Sequence, residues 1–173
     1  MRYTALFFLL FFAKPIIGQV KGFPNAWKGC WKGELAWYKT GHAKPQKVAM
    51  QLCITPADSA KWNWQLIYGN EKKDNRPYEL YKKDTAGIHW VIDEKNGIVL
   101  DQFWVGNKLS GAFTVMNSTI FNTYWLEKGQ LHVSFYSIST SAIHATGLGT
   151  EESPTVNSYK VNSYQKAILT KIK

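Results

Sequence analysis

From Trp27 onward the chain runs in short segments rich in Val, Ile, Thr, Tyr, Phe and Trp, with apolar and polar residues alternating. Turn residues break these runs at hairpin spacing. No long stretch carries the 3.6-residue period of an amphipathic helix, so the pattern predicts an all-β chain. Register tests that reading, because a short hairpin loop decides which residues face each other. A loop at Gly106-Asn107 sets Trp104 opposite Leu109, Gln102 opposite Gly111 and Leu100 opposite Phe113. A loop at Asn117-Ser118 sets Phe113 opposite Asn122 and Gly111 opposite Tyr124. A loop at Lys128-Gly129 sets Leu126 opposite Leu131, Tyr124 opposite Val133 and Asn122 opposite Phe135. A three-residue loop, Lys95-Asn96-Gly97, sets Ile92 opposite Leu100. One mostly apolar face continues through all four loops, which predicts a five-stranded meander over 88–135.

A turn near Gly41-His42 sets Trp31 opposite Leu52, Gly33 opposite Met50 and Leu35 opposite Val48. The same register places Cys30 directly across from Cys53. These are the only cysteines, and the pairing predicts a disulfide. Further strands are expected over 62–68, 78–82 and 163–172, about ten in all. An open sheet of that size would leave two bare edges and an uncovered apolar face, and no helix is available to cover either. Closure removes both problems. The expected fold is a single antiparallel up-and-down β-barrel of about eight to ten strands, with a two-sheet sandwich as the alternative. The segment 139–157 lacks a strand pattern and is expected as a long loop able to cover a barrel mouth.

The first residues follow a different pattern. Arg2 precedes the apolar run 5–13, and Gly18 offers a small residue before Gln19. The run is shorter than the roughly 20 residues a spanning helix needs. Residues 1–18 are read as a signal peptide and 19–173 as one barrel domain, exported to the periplasm or the medium. No stable membrane span is expected after cleavage. The chain carries 21 Lys+Arg against 12 Asp+Glu. Arg76 is the only arginine after Arg2, and the lysines are scattered, which argues against a nucleic-acid reader.

Gly29-Cys30-Trp31, followed by Lys32-Gly33, is a G-x-W on the first predicted strand. It resembles the opening of lipocalins and their calycin relatives, and the likeness extends in outline over 19–173. The resemblance implies that Trp31 plugs the closed end of the barrel. Lipocalins place an arginine of the last strand over that tryptophan, and here Lys166 and Lys171 are the candidates. They also carry a helix after the barrel, whereas this chain ends in a strand pattern. The strand number is closer to ten-stranded, nitrobindin-like relatives.

The predicted inward face carries Leu100, Gln102, Trp104, Phe113, Asn122, Tyr124 and Phe135. Apolar walls with a few polar groups are the composition of a ligand pocket. The same residues also suit a packed core whose polar groups bind one another. No nucleophile elbow, zinc-protease motif or phosphate loop is present, so the reading leans away from an enzyme. Of four histidines none has a second ligand at metal spacing, and no cofactor is expected. His144, placed in the long loop, is the residue left for a haem ligand. Three functional readings stand. The first is an exported carrier of a small hydrophobic molecule. The second is a packed barrel acting through its surface as an envelope or interaction protein. The third is a haem-binding or enzymatic barrel.

Overall fold

The computed structural model describes residues 22–58 and 60–172; the predicted signal peptide lies outside them. A 3₁₀ turn, Asn25–Trp27, leads into β1 Gly29–Lys39, β2 Gln46–Pro56, β3 Lys61–Tyr68, β4 Asn75–Lys82 and β5 His89–Asp93. The second half holds β6 Val99–Val105, β7 Lys108–Val115, β8 Ser118–Glu127, β9 Gln130–Thr146 and β10 Val156–Lys171. Every strand pairs antiparallel with its sequence neighbour, and β1 closes on β10. The result is a closed ten-stranded up-and-down barrel, as the hydrophobic alternation demands, and the sandwich is excluded.

Most of the expected register is present. Trp31 faces Leu52, Gly33 faces Met50 and Leu35 faces Val48. Cys30 faces Cys53, and the two form a disulfide with Cα atoms 4.0 Å apart. Ile92 faces Leu100, Trp104 faces Leu109, and Tyr124 faces Val133. Lys128 and Gly129 both take positive φ, 49° and 75°, as a two-residue primed turn requires.

Two expectations are corrected. The β7–β8 turn is Met116-Asn117 rather than Asn117-Ser118, with Met116 at φ 51°. Phe113 therefore faces Ile120, Gly111 faces Asn122 and Leu109 faces Tyr124. The shift is two residues, so the inward face is unchanged and alternation alone cannot see it. The second correction concerns 139–157. It is not a loop: β9 runs on to Thr146 and β10 starts at Val156, so the two continue as a ribbon past the barrel rim. His144 therefore stands in a strand, opposite Ser158.

The core occupies the half of the barrel where β1 begins. Phe23 meets Trp27, Trp90 and Trp104 edge-on at centroid distances of 4.9, 4.8 and 5.0 Å. Trp31 donates its indole N–H to the Trp27 carbonyl at 2.8 Å, and Trp90 donates to the Gly87 carbonyl at 2.8 Å. The Lys171 ammonium lies 5.4 Å from the Trp31 ring centre, so of the two lysines it is the one over the tryptophan. Asp84 fixes the β4–β5 connection by accepting N–H bonds from Gly87, Ile88 and His89. This end is closed by aromatic packing.

Candidate functional site

Above the aromatic plug a buried polar layer crosses the barrel. Gln102 on β6 is fully buried (0 % exposed), and Asn122 on β8 is nearly so. Asn122 Nδ2 donates to Gln102 Oε1 at 2.7 Å. Their strands are separated by β7, and the residue between them is Gly111. A Cβ there would strike the Gln102 amide and the Asp101 carbonyl. The missing side chain lets two amides meet across a strand. Gln102 Nε2 and Asn122 Oδ1 have no partner. Reversing both amides would leave the other two atoms free, so either assignment leaves one donor and one acceptor unpaired. Tyr124 is buried beside this layer, edge-on to Trp64 and Phe135 at 5.1 and 5.8 Å. The Trp64 indole N–H is buried without a hydrogen-bond partner.

Beyond that layer the barrel opens. Leu100, Phe113, Ile120 and Phe135 share the inward parity of the sealed core, yet they are only partly buried. They form a half-buried ring at the barrel mouth. Trp37 belongs to the same ring, with Lys39 Nζ 4.4 Å from its ring centre.

The β3–β4 side of the mouth is polar. Arg76 shares the inward parity of Tyr78 and Leu80, with its side chain 45 % exposed. Its Nε and Nη2 donate to the two carboxylate oxygens of Asp74 at 2.7 and 2.8 Å. The guanidinium carbon stands 4.9 Å from the Tyr68 ring centre. These contacts hold Arg76 charged, and its hydrogen bonds keep the Asp74 carboxyl below the usual carboxylate range. Burial pushes the Tyr68 phenol up to about 12, against a partial pull downward from Arg76. Tyr78 is also raised, first by burial and then by the Glu94 charge. Tyr124 is raised well above its ordinary value by burial, and it senses Tyr68, Tyr78 and Arg76. Three neutral phenols and one cation therefore share the interior on this side.

The sequence-predicted lining residues fall into three groups. Leu100, Phe113 and Phe135 stand at the open mouth. Gln102, Asn122 and Tyr124 form its sealed floor. Trp104 packs into the plug at the closed end. Arg76, Tyr68 and Tyr78 escaped the sequence reading. The expected strand 78–82 begins past Arg76, whereas β4 starts at Asn75 and includes it. The alternation Arg76-x-Tyr78-x-Leu80 was the signal available. Among the described residues no group of three His, Cys, Asp or Glu is placed to hold a metal ion. No described helix is long and apolar enough to cross a membrane.

The chain thus defines a class: a closed ten-stranded antiparallel up-and-down barrel, consistent with a calycin-like barrel. No protein-family model and no curated protein matches it. Among solved structures it is similar to a protein of unknown function from the DUF3598 family of Nostoc punctiforme PCC 73102. That similarity has a TM-score of 0.61 at 10 % identity, over 86 % of this chain and 48 % of the neighbour. The chain therefore spans about half the neighbour's length, and the likeness concerns the fold alone. The disulfide points to an oxidising compartment.

Proposed function

We propose that this is an exported, non-catalytic barrel that holds a small amphipathic molecule in its open half. The apolar body lies against Leu100, Phe113 and Phe135, and an anionic or strongly polar group faces Arg76 with Tyr68 and Tyr78. The observation that supports the reading is the ring of half-buried inward residues above the Gln102–Asn122 layer, Leu100, Phe113, Ile120 and Phe135, with Arg76, Tyr68 and Tyr78 on its β3–β4 side. Apolar walls with a few converging polar groups favour a guest with one polar end. Asp74 already neutralises Arg76, so the guest gains a directed donor more than a free charge.

Titration with 1-anilinonaphthalene-8-sulfonate and with a long-chain carboxylate tests the proposal. Saturable binding with a blue-shifted emission is expected. Phe113→Lys should abolish binding of both probes. Arg76→Gln should weaken the carboxylate about tenfold, near 1.4 kcal/mol, while sparing a neutral alcohol of equal length. Absence of saturable binding to any of these amphiphiles in a folded protein would sink the carrier reading.

The second reading, a barrel acting through its surface, is favoured by a separate observation: exposed aromatic residues gather on one outer wall.

A further inference from the structure

Asn96 is the only asparagine of the chain that is followed by glycine. It stands in the turn between β5 and β6, just ahead of Leu100 in the mouth ring. Asn96 and Gly97 are both exposed, so water and base reach them. The turn holds the Asn96 side chain in place. Its Oδ1 accepts the Ile98 N–H at 3.0 Å, and its Nδ2 donates to Glu94 Oε2 at 3.4 Å. An asparagine bonded to the backbone two residues on is folded back over the peptide in between. That peptide carries the Gly97 nitrogen. The Ile98 N–H also draws electron density from the side-chain carbonyl, which makes its carbon more electrophilic.

The Gly97 N–H itself has no acceptor among the described residues. No hydrogen bond must break before it reacts. Gly97 holds φ 95°, and a Cβ built there would meet nothing within 4 Å. The nitrogen is therefore attached to a residue with no side chain, on an open surface, where close approach meets the least obstruction.

We infer that this turn is a self-modifying site at which Asn96 deamidates in the folded protein, with water as the co-reactant. The Gly97 nitrogen gives its proton to solvent base and bonds to Asn96 Cγ. The Cγ–Nδ2 bond breaks, and Nδ2 leaves as ammonia. A five-membered imide remains. Water adds to one of its two carbonyls, and the ring opens to aspartate or to isoaspartate. Nothing is oxidised or reduced, and the net change is ammonia for water.

The product alters the rim. A donor facing Glu94 becomes an anionic acceptor, in a turn that already holds Asp93 and Glu94. Lys95 is engaged with Glu79 at 2.7 Å, so it is already committed when the new charge arrives. The isoaspartyl form adds a backbone carbon to a turn whose length sets the β5–β6 register. Glu94 acts on the Tyr78 phenol, so the added charge falls beside the polar side of the mouth. That last consequence rests on the ligand reading, whereas the chemistry at Asn96 does not.

Incubation of the full-length chain, disulfide intact, in mildly alkaline buffer tests the inference, with peptide mapping by mass spectrometry and circular dichroism as the control for folding. The peptide containing Asn96 should gain one mass unit as a mixture of two isomers. Its rate should rise with pH, because the deprotonated nitrogen attacks. It should exceed the rates at Asn117, Asn157 and Asn162, each followed by serine, at least tenfold. Asn96→Gln should abolish the early acidic shift on ion exchange. Asn96 that stays intact in the folded chain and reacts only in urea overturns the inference, since the turn would then protect it. A serine-flanked asparagine that reacts first overturns it equally.

Discussion

Gly111 is the residue on which the interior register turns. With no side chain it lets Gln102 and Asn122 join across β7, a contact that the expected Asn117-Ser118 turn would have displaced by two positions. Gly111→Ala should cost about 1–3 kcal/mol, because one obstacle to the new Cβ is the Asp101 backbone carbonyl, which cannot swing aside. Chemical denaturation would measure it. Tyr68 makes a pH prediction. Its phenol is raised from 10.0 to about 12 in the folded state, chiefly by burial. A raised pKa means that the folded state holds its proton more tightly than the unfolded one. The stabilisation is fully present below pH 10 and is lost as pH climbs from 10 towards 12, on the order of 2–3 kcal/mol. Ultraviolet titration should show Tyr68 ionising late, and Tyr68→Phe should flatten the alkaline loss of stability. Residue identity was legible here, since Gly111, Gln102 and Asn122 were all assigned to the inward face. Their partnership was not, because it depends on a turn shift that preserves alternation.

At the scale of elements, hairpins with strong turn residues read correctly and those without did not. Lys128-Gly129 and Lys95-Asn96-Gly97 place glycine where positive φ is needed. Met116 occupies such a position with a side chain that disfavours it, and it is 94 % exposed. Asn117-Ser118 was the better local candidate, and tertiary pairing overrode it. Met116→Gly should therefore raise stability by up to about 1 kcal/mol, part of the relieved strain being offset by glycine's greater unfolded entropy. A thermal melt would show the gain, and a loss would mean that Met116 makes a contact worth more than its strain. The β9–β10 ribbon was missed for another reason. Strand signals come from half-buried surfaces, where apolar and polar residues alternate against a core. A ribbon wet on both faces has no such requirement, and Ser139 to Thr146 reads as polar loop.

For the whole molecule, the disulfide between Cys30 and Cys53 ties the first hairpin of a barrel that must close on its own N-terminal strand. Their sequence separation is 23, and chain entropy assigns such a loop about 3 kcal/mol. Replacing both cysteines with alanine should lower the melting temperature by several degrees while the strand signal of the closed barrel persists. A melting temperature indifferent to the change would show that unfolded-state restriction contributes nothing here. What the sequence determined alone is what alternation and pairing encode. Strand identity, the inward face, the cysteine partnership and the closed barrel all follow from period-two burial and the cost of bare edges. Tertiary structure decided the rest: how deep the plug reaches, where the interior opens, that Arg76 joins Tyr68 and Tyr78 at the mouth, and how far β9 and β10 outrun their neighbours. These depend on strand offsets around the closed ring, and offsets in steps of two leave the hydrophobic pattern unchanged.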